Sequence, residues 1–414
     1  MAKKRVIPII IVIVLLTACV VFLYILFGGA PLKTDGSGSG LGSLGGSAAS
    51  SDEAAEKPPS LSEWELPIIV PITGTDSDEG LAAAWGFDYG VKAVNEQGGI
   101  RGLPVKIMVL DTASSESEVV YNIGTVAADS LVVMGPPTET LFKAGEQAFY
   151  SAGMPTVGAA TDVDNREAFR PFAISCVDEP GSAAISAAGT WMRTEWFTDV
   201  CIFQSPEAAE RTDQVEEALI KGGKKVTEII SLGSDTFDAA GVAEKAFVSG
   251  ADAFYIDLPV EDTLRVIAQL RFLADEEGGD LQILCGPLAA DPSFLDGADG
   301  EELFGVYVWS LLDPVKDAEK RKAFDDAFEK NIGDPVYRNI AVDYYQAAIM
   351  LKQAIDALGL TGSPDELANE RGQLAEYLYH SGLISTDHGD FIIESGGKFM
   401  TPKLYKITED GFQL

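Results

Sequence analysis

The sequence predicts an α/β protein whose body is two doubly wound lobes facing each other across a cleft. Three observations carry this reading: short apolar runs alternate with longer amphipathic stretches from Leu66 onward, the pattern starts again near residue 199, and there are more strand-like runs than one sheet comfortably holds. The 414 residues, 46% hydrophobic and 23% charged, exclude wholesale disorder and leave room for about two such lobes beyond an amino-terminal segment of different character.

That segment comes first. Residues 7–27, IPIIIVIVLLTACVVFLYILF, contain no charged side chain, and about 20 such residues span a bilayer as a helix. Lys3, Lys4 and Arg5 precede the run, so the positive-inside rule keeps residues 1–6 in the cytoplasm and exports the rest of the chain. Within it, Leu16-Thr17-Ala18-Cys19 is similar to a bacterial lipobox, which would make Cys19 a lipidation site, although the apolar stretch Val20 to Phe27 departs from the polar tether usual there. An uncleaved anchor and a lipoprotein both remain open, and both read residues 1–31 as a signal or membrane anchor holding the body outside the cytoplasmic membrane. Residues 32–63 are rich in Gly, Ser and Ala, a composition that cannot bury enough apolar surface to offset its ordering entropy, and read as a flexible linker.

Strands are expected at 66–73, 105–111, 131–135 and 155–158, with helices near 80–97, 115–129 and 138–152 between them. A second series has strands near 199–204, 225–232, 253–258 and 281–285, separated by helices near 181–196, 207–222, 237–249 and 260–277. A further strand near 304–311, helices near 317–331, 339–358 and 364–381, and an all-β tail complete the chain, with Gly396-Gly397 suited to a tight hairpin turn. Open α/β sheets bind ligands outside the carboxyl ends of their strands, so the loops after residues 73, 111, 135, 158, 204, 258 and 285 are the ones that face the cleft.

Composition removes several function classes. A net charge of −34 repels phosphate backbones and argues against nucleic-acid binding. Two histidines, His380 and His388, and four scattered cysteines supply no CxxC, no HExxH and too few ligands for a zinc site. Neither a GxSxG elbow nor a GxGxxG or P-loop follows any strand, so no catalytic residues, no metal and no cofactor are assigned and the chain reads as a non-enzyme. His388, between Asp387 and Asp390, is expected in a solvated turn, and Cys176, Cys201 and Cys285 are expected buried and unpaired. Trp85, Phe87 and Tyr89 recur at helical spacing and read as core.

Asn95-Glu96-Gln97-Gly98-Gly99-Ile100-Arg101-Gly102, after the first βα unit, resembles a signature of the extracytoplasmic solute-binding proteins of branched-chain amino acid ABC transporters, a leucine-binding-protein-like, type I periplasmic binding protein family. Further pieces agree in order: Gly135-Pro136 before a Thr-rich helix start, Gly153-Met154-Pro155 leading to Gly158-Ala159-Ala160-Thr161, and Asp390-Phe391 followed by Gly396-Gly397-Lys398. The resemblance covers about residues 64–414. It implies two Rossmann-like lobes joined by three crossing segments, lobe I at 64–177 plus 312–383 and lobe II at 178–311 plus 384–414, which close around a small polar solute and hand it to a membrane permease of the ABC type. The alternative is a ligand-sensing ectodomain or degenerate scaffold on the same fold.

The resemblance also nominates ligand contacts. Thr138, Glu139 and Thr140 stand where hydroxyl residues receive a ligand carboxylate, and the free N–H groups of a helix start suit that task; an N-cap and helix-start charge explain the same residues equally well. Ala159, Ala160 and Thr161 match a second carboxylate-gripping loop, an ST-turn before Asp162 being the plainer reading, and Asp178 falls at the first crossing, near where the family holds the ligand ammonium, with a hinge-capping role equally open. The chain departs from the pattern where Leu288 replaces an acidic residue, where Asp257-Leu258 replaces an aromatic one, and where Glu79 replaces an aromatic lid. These departures weaken an assignment to leucine, isoleucine or valine.

Overall fold

The computed structural model describes residues 61–414 apart from 180, 234–236, 278–280, 298–299 and 315–317. The apolar run 7–27, Cys19 and the linker lie outside the described residues, and no helix among those described is long and apolar enough to cross a membrane.

The first lobe opens with β1 (Trp64–Val70), α1 (Ser77–Glu96), β2 (Val105–Asp111), α2 (Glu116–Val126), β3 (Val133–Met134), α3 (Glu139–Ser151), β4 (Thr156–Gly158), α4 (Val163–Ala168) and β5 (Ala173–Ser175). Its five strands are all parallel in the order β2-β1-β3-β4-β5. β1 lies between two neighbours and reads WELPIIV, almost wholly buried, as a strand covered on both faces must. β2, at the sheet edge, mixes buried and exposed positions. Alternate residues serve opposite faces: Ile68 and Val70 join one core cluster, Ile69 and Val133 another.

The second lobe repeats the plan through α5 (Ser182–Thr194), β6 (Asp199–Gln204), α6 (Ala209–Lys221), β7 (Lys225–Ser231), α7 (Ala239–Val248), β8 (Ala253–Asp257), α8 (Val260–Glu277), β9 (Gln282–Cys285), α9 (Pro292–Asp296) and β10 (Tyr307–Ser310). Its parallel strands run β7-β6-β8-β9-β10, the same order of crossovers as in the first lobe. Cys201 and Phe203 pack on the face covered by α7 and α8, and Val200 and Ile202 on the face covered by α5 and α6. Cys176, Cys201 and Cys285 are buried and unpaired, as expected from their apolar settings, and burial pushes the Cys201 thiol up to about 12.

The chain then returns through α10 (Ala318–Asn331), α11 (Arg338–Leu358), α12 (Leu367–Tyr379), β11 (Ile384–Thr386), β12 (Gly389–Glu394) and β13 (Gly397–Met400), and ends with β14 (Lys403–Thr408) and β15 (Gly411–Gln413). Here the structure divides what the sequence reading kept together. Ile384, Phe391, Ile393 and Met400 share the first lobe's core with Trp64 and Leu374, whereas β14 pairs antiparallel with β10 and extends the second sheet. The apolar alternation of 384–400 therefore serves lobe I, and the last crossing falls after Met400 instead of at 384. The hairpin turn also sits one residue earlier than Gly396-Gly397. Glu394 pairs with Gly397, leaving Ser395 and Gly396 as a two-residue loop with φ of 50° and 72°, the positive values a type I′ turn demands.

Candidate ligand-binding cleft

The chain passes between the sheets three times, after Ser175, Ser310 and Met400. Around these passages lies a chamber of about 510 Å³, lined by Val177 and Asp178 of the first crossing, Trp309 to Leu312 of the second, Met400 of the third, Arg321, Arg338, Asn339 and Gln346 of α10 and α11, and Arg211 and Pro287 of lobe II. A second chamber of about 380 Å³ shares Asp178, Arg211, Trp309, Leu311, Asn339 and Met400 and adds Glu207, Glu210 and Gln214. Both lie within the range of small-molecule sites, and both draw walls from each lobe.

A buried cation ties the crossings together. Lys398 of β13 is 1% exposed, and its ammonium donates to Asp343 Oδ1 of α11 at 2.8 Å, Asp178 Oδ1 at 2.9 Å and Gln346 Oε1 at 2.5 Å. Burial works against a charged ammonium, but the carboxylates of Asp343 and Asp178 more than offset it and hold Lys398 protonated far above its usual range. Burial raises the Asp343 carboxyl to about 7, with Asp178 adding to the rise and Lys398 opposing it. The backbone reinforces the link, since Glu179 N–H donates to Lys398 C=O at 2.7 Å.

A second buried pair forms the lobe II wall. Asp257, at the end of β8, has a fully buried carboxylate that accepts from Arg211 Nε at 2.6 Å and Arg211 Nη2 at 2.8 Å. Tyr255 donates its hydroxyl to Asp257 at 3.0 Å, and Trp309 Nε1 donates to that hydroxyl at 3.3 Å. This two-pronged pairing raises the Arg211 pKa and fixes a guanidinium, only partly buried, at the boundary of the two chambers. Gly286 makes it possible: a Cβ there would stand 2.4 Å from the Asp257 carboxyl carbon.

The strand-end loops nominated from sequence lie mostly outside both chambers. Thr138 precedes α3 with no cap hydrogen bond, and its hydroxyl is buried without a partner. Glu139 accepts from Lys143 Nζ at 2.7 Å and from the Thr161 hydroxyl at 2.8 Å, and Lys143 also reaches Asp162 at 2.8 Å. The hydrogen bond from Lys143 is the main reason the Glu139 carboxyl sits below its usual range. Glu139 and Thr140 border a shallow surface hollow with Glu116 and Lys143, apart from both chambers. Ala159 and Ala160 are buried, and Arg166 donates to Ala160 C=O at 2.6 Å while pairing with Glu179 at 2.5 Å, which ties this loop to the first crossing. Asp178 lines both chambers. Leu258 is 1% exposed in the lobe II core, and Leu288 is exposed beside Pro287 without lining either chamber. Of the nominated residues, Asp178 lines the chambers directly and Asp257 holds Arg211 against them.

His388 is not in a solvated turn. It is 7% exposed, with Phe324 and Tyr345 edge-on to its ring at 4.3 and 5.0 Å. Burial, with Arg338 adding to it, pulls its pKa down to about 4, so it is a neutral aromatic wall of the larger chamber. Trp85 and Tyr89 pack on Phe324 in the same aromatic group, in keeping with their reading as core.

The family described as periplasmic binding protein matches residues 63–377, about three quarters of the chain. The chain belongs to this family. A structure from Rhodospirillum rubrum, provisionally assigned to a branched-chain amino acid ABC transporter, is 18% identical with a TM-score of 0.57, and the match covers 85% of this chain and 99% of that one. An ABC transporter substrate-binding protein from Sphaerobacter thermophilus is 17% identical with a TM-score of 0.46, over 84% of this chain and 95% of that one. The branched-chain amino acid transporter substrate binding protein LivJ from Streptococcus pneumoniae, in complex with isoleucine, is 16% identical with a TM-score of 0.43, over 85% and 98%. No curated protein matches.

In this periplasmic binding protein Asp343, Arg211 and Arg321, which line the larger chamber, and Lys398, which holds Asp343 and Asp178, do not stand out as site residues in the sequence, although Lys398 belongs to the Gly396-Gly397-Lys398 motif. One signal was available: a lysine at an inward position of a strand otherwise apolar on that face requires buried carboxylates nearby. Arg211 gave none, because it lies in a helix rich in exposed charge.

Proposed function

We propose that this chain is the membrane-tethered, extracytoplasmic solute-binding component of an ABC uptake system, and that it binds a small polar, amino-acid-like solute by closing its two lobes. The observation that carries the reading is the chamber at the crossings, walled by both lobes and lined by a pre-set guanidinium and by two carboxylates of a buried ion cluster. Solute contacts to both lobes lower the energy of the closed form relative to the open one, and a permease that reads the closed form receives the solute. The uncharged run at 7–27 behind Lys3, Lys4 and Arg5 supports the tether, with Cys19 as the site of any lipid. We include Thr138 and the Ala159–Thr161 loop as contacts made on closure, since the Thr138 hydroxyl has no partner in the present arrangement.

ATP-driven uptake in vesicles holding the chain and its partner permease tests this. Import that requires the chain supports the reading; solute binding without import assigns the protein to sensing.

A further inference from the structure

The charges around the two chambers are unevenly satisfied. Asp178 and Asp343 are paired with Lys398, Glu179 with Arg166, Arg211 with Asp257, and Arg338 with Asp325. Three lining groups make no ion pair among the described residues: Arg321, half-buried in the larger chamber, and Glu207 and Glu210 in the smaller one. The field of Arg321 reaches Asp291 across the cleft, but that carboxylate is engaged by Ser293. The unpaired cation thus lines one chamber and the unpaired anions the other, and the two chambers meet at a shared wall of Asp178, Arg211, Trp309, Leu311, Asn339 and Met400.

We propose that the solute is an end-to-end zwitterion longer than an α-amino acid, a short peptide, with its anionic end at Arg321 and its cationic end at Glu207 and Glu210. An α-amino acid carries both charges on one carbon and satisfies one end of the cleft only. A peptide extends by about 3.3 Å per residue, so length decides whether both ends are reached. Complementary charge also selects orientation, because the reversed ligand would set like charges together. This proposal rests on the solute-binding reading above and narrows it.

The test is titration calorimetry on the full chain with glycine, diglycine, triglycine and tetraglycine as probes, then with the best-binding peptide N-acetylated or C-amidated. Affinity is expected to rise at least tenfold from glycine to the best peptide and to fall at least tenfold on blocking either end. Arg321→Gln should abolish discrimination against the amide, and Glu207→Gln with Glu210→Gln should abolish discrimination against the acetylated form. Glycine binding as well as any peptide, no peptide binding at all, or blocked and free ends binding alike overturns the proposal. If a different solute binds and is imported while these probes fail, the zwitterion is wrong and the transport reading stands; if nothing binds, both fail.

Discussion

Lys398 Nζ lies 2.9 Å from Asp178 Oδ1, so a buried cation next to the third crossing is held by a carboxylate of the first. The same ammonium reaches Asp343 on α11, whose side chain is 10% exposed. Removing one partner of such a cluster strands the others. Lys398→Met should cost about 3–5 kcal/mol in urea unfolding, and adding Asp343→Asn should recover a large part of it. The pH dependence has a definite sign. Without the ammonium the folded-state pKa of Asp343 rises further above its unfolded value, and a carboxyl so raised loses stability as pH climbs between those values. The deficit of Lys398→Met should thus be larger at pH 8 than at pH 5; an equal deficit at both would mean that Asp343 does not feel Lys398.

Arg211 is fixed by two hydrogen bonds to Asp257, and lysine offers charge without the fork. Arg211→Lys should weaken solute binding at least tenfold by calorimetry while costing about 1–3 kcal/mol of stability from the incompletely satisfied Asp257. Unchanged affinity would remove Arg211 from the binding surface.

His388 titrates near 4 in the folded state, below the ordinary histidine value of 6.5. The unfolded chain therefore takes up the proton first, so this contribution is fully present above about 6.5 and is lost as pH falls toward 4. Its size is on the order of 3–4 kcal/mol at about 1.4 kcal/mol per unit. Burial raises Glu146 to about 7, which acts with the opposite sign across part of the same range. The informative quantity is thus the difference between wild type and His388→Gln, followed by denaturant melts from pH 7.5 to 4. The difference should shrink as pH falls; a difference constant with pH would contradict a neutral buried imidazole.

Glu139 shares Lys143 with Asp162 on an exposed surface. Glu139→Gln should leave solute affinity unchanged, because Lys143 keeps Asp162 and neither chamber is touched. A tenfold loss by calorimetry would instead add the Glu139 carboxylate to the closed site beside Thr138.

What the sequence made legible was the lobes: continuous apolar runs such as IIV in β1 and CIF in β6 announce strands buried on both faces, and their restart announces the second sheet. β5, with three residues AIS, and α4, with six, were too short to carry periodicity. The placement of 384–400 was illegible for another reason, since alternation shows that a strand has a buried face without saying which lobe buries it. The site was the hardest part. It is built from charges that find each other only when crossings separated by more than 150 residues converge, as Lys398 and Asp178 do.

Solute should close the lobes, and a pair of spin labels measures that closure directly. Glu116 and Glu261 are exposed in the first helical turn after β2 and β8, one on each lobe at the carboxyl side of its sheet, and the buried Cys176, Cys201 and Cys285 are poor labelling competitors. With cysteines at those two positions and Cys19 replaced by serine, pulsed electron double resonance on the full chain reads the distance between lobes. Saturation with the solute that co-purifies should shift the distribution to a shorter, narrower peak. An unchanged distribution at calorimetrically confirmed saturation would mean that solute binds without closing the lobes.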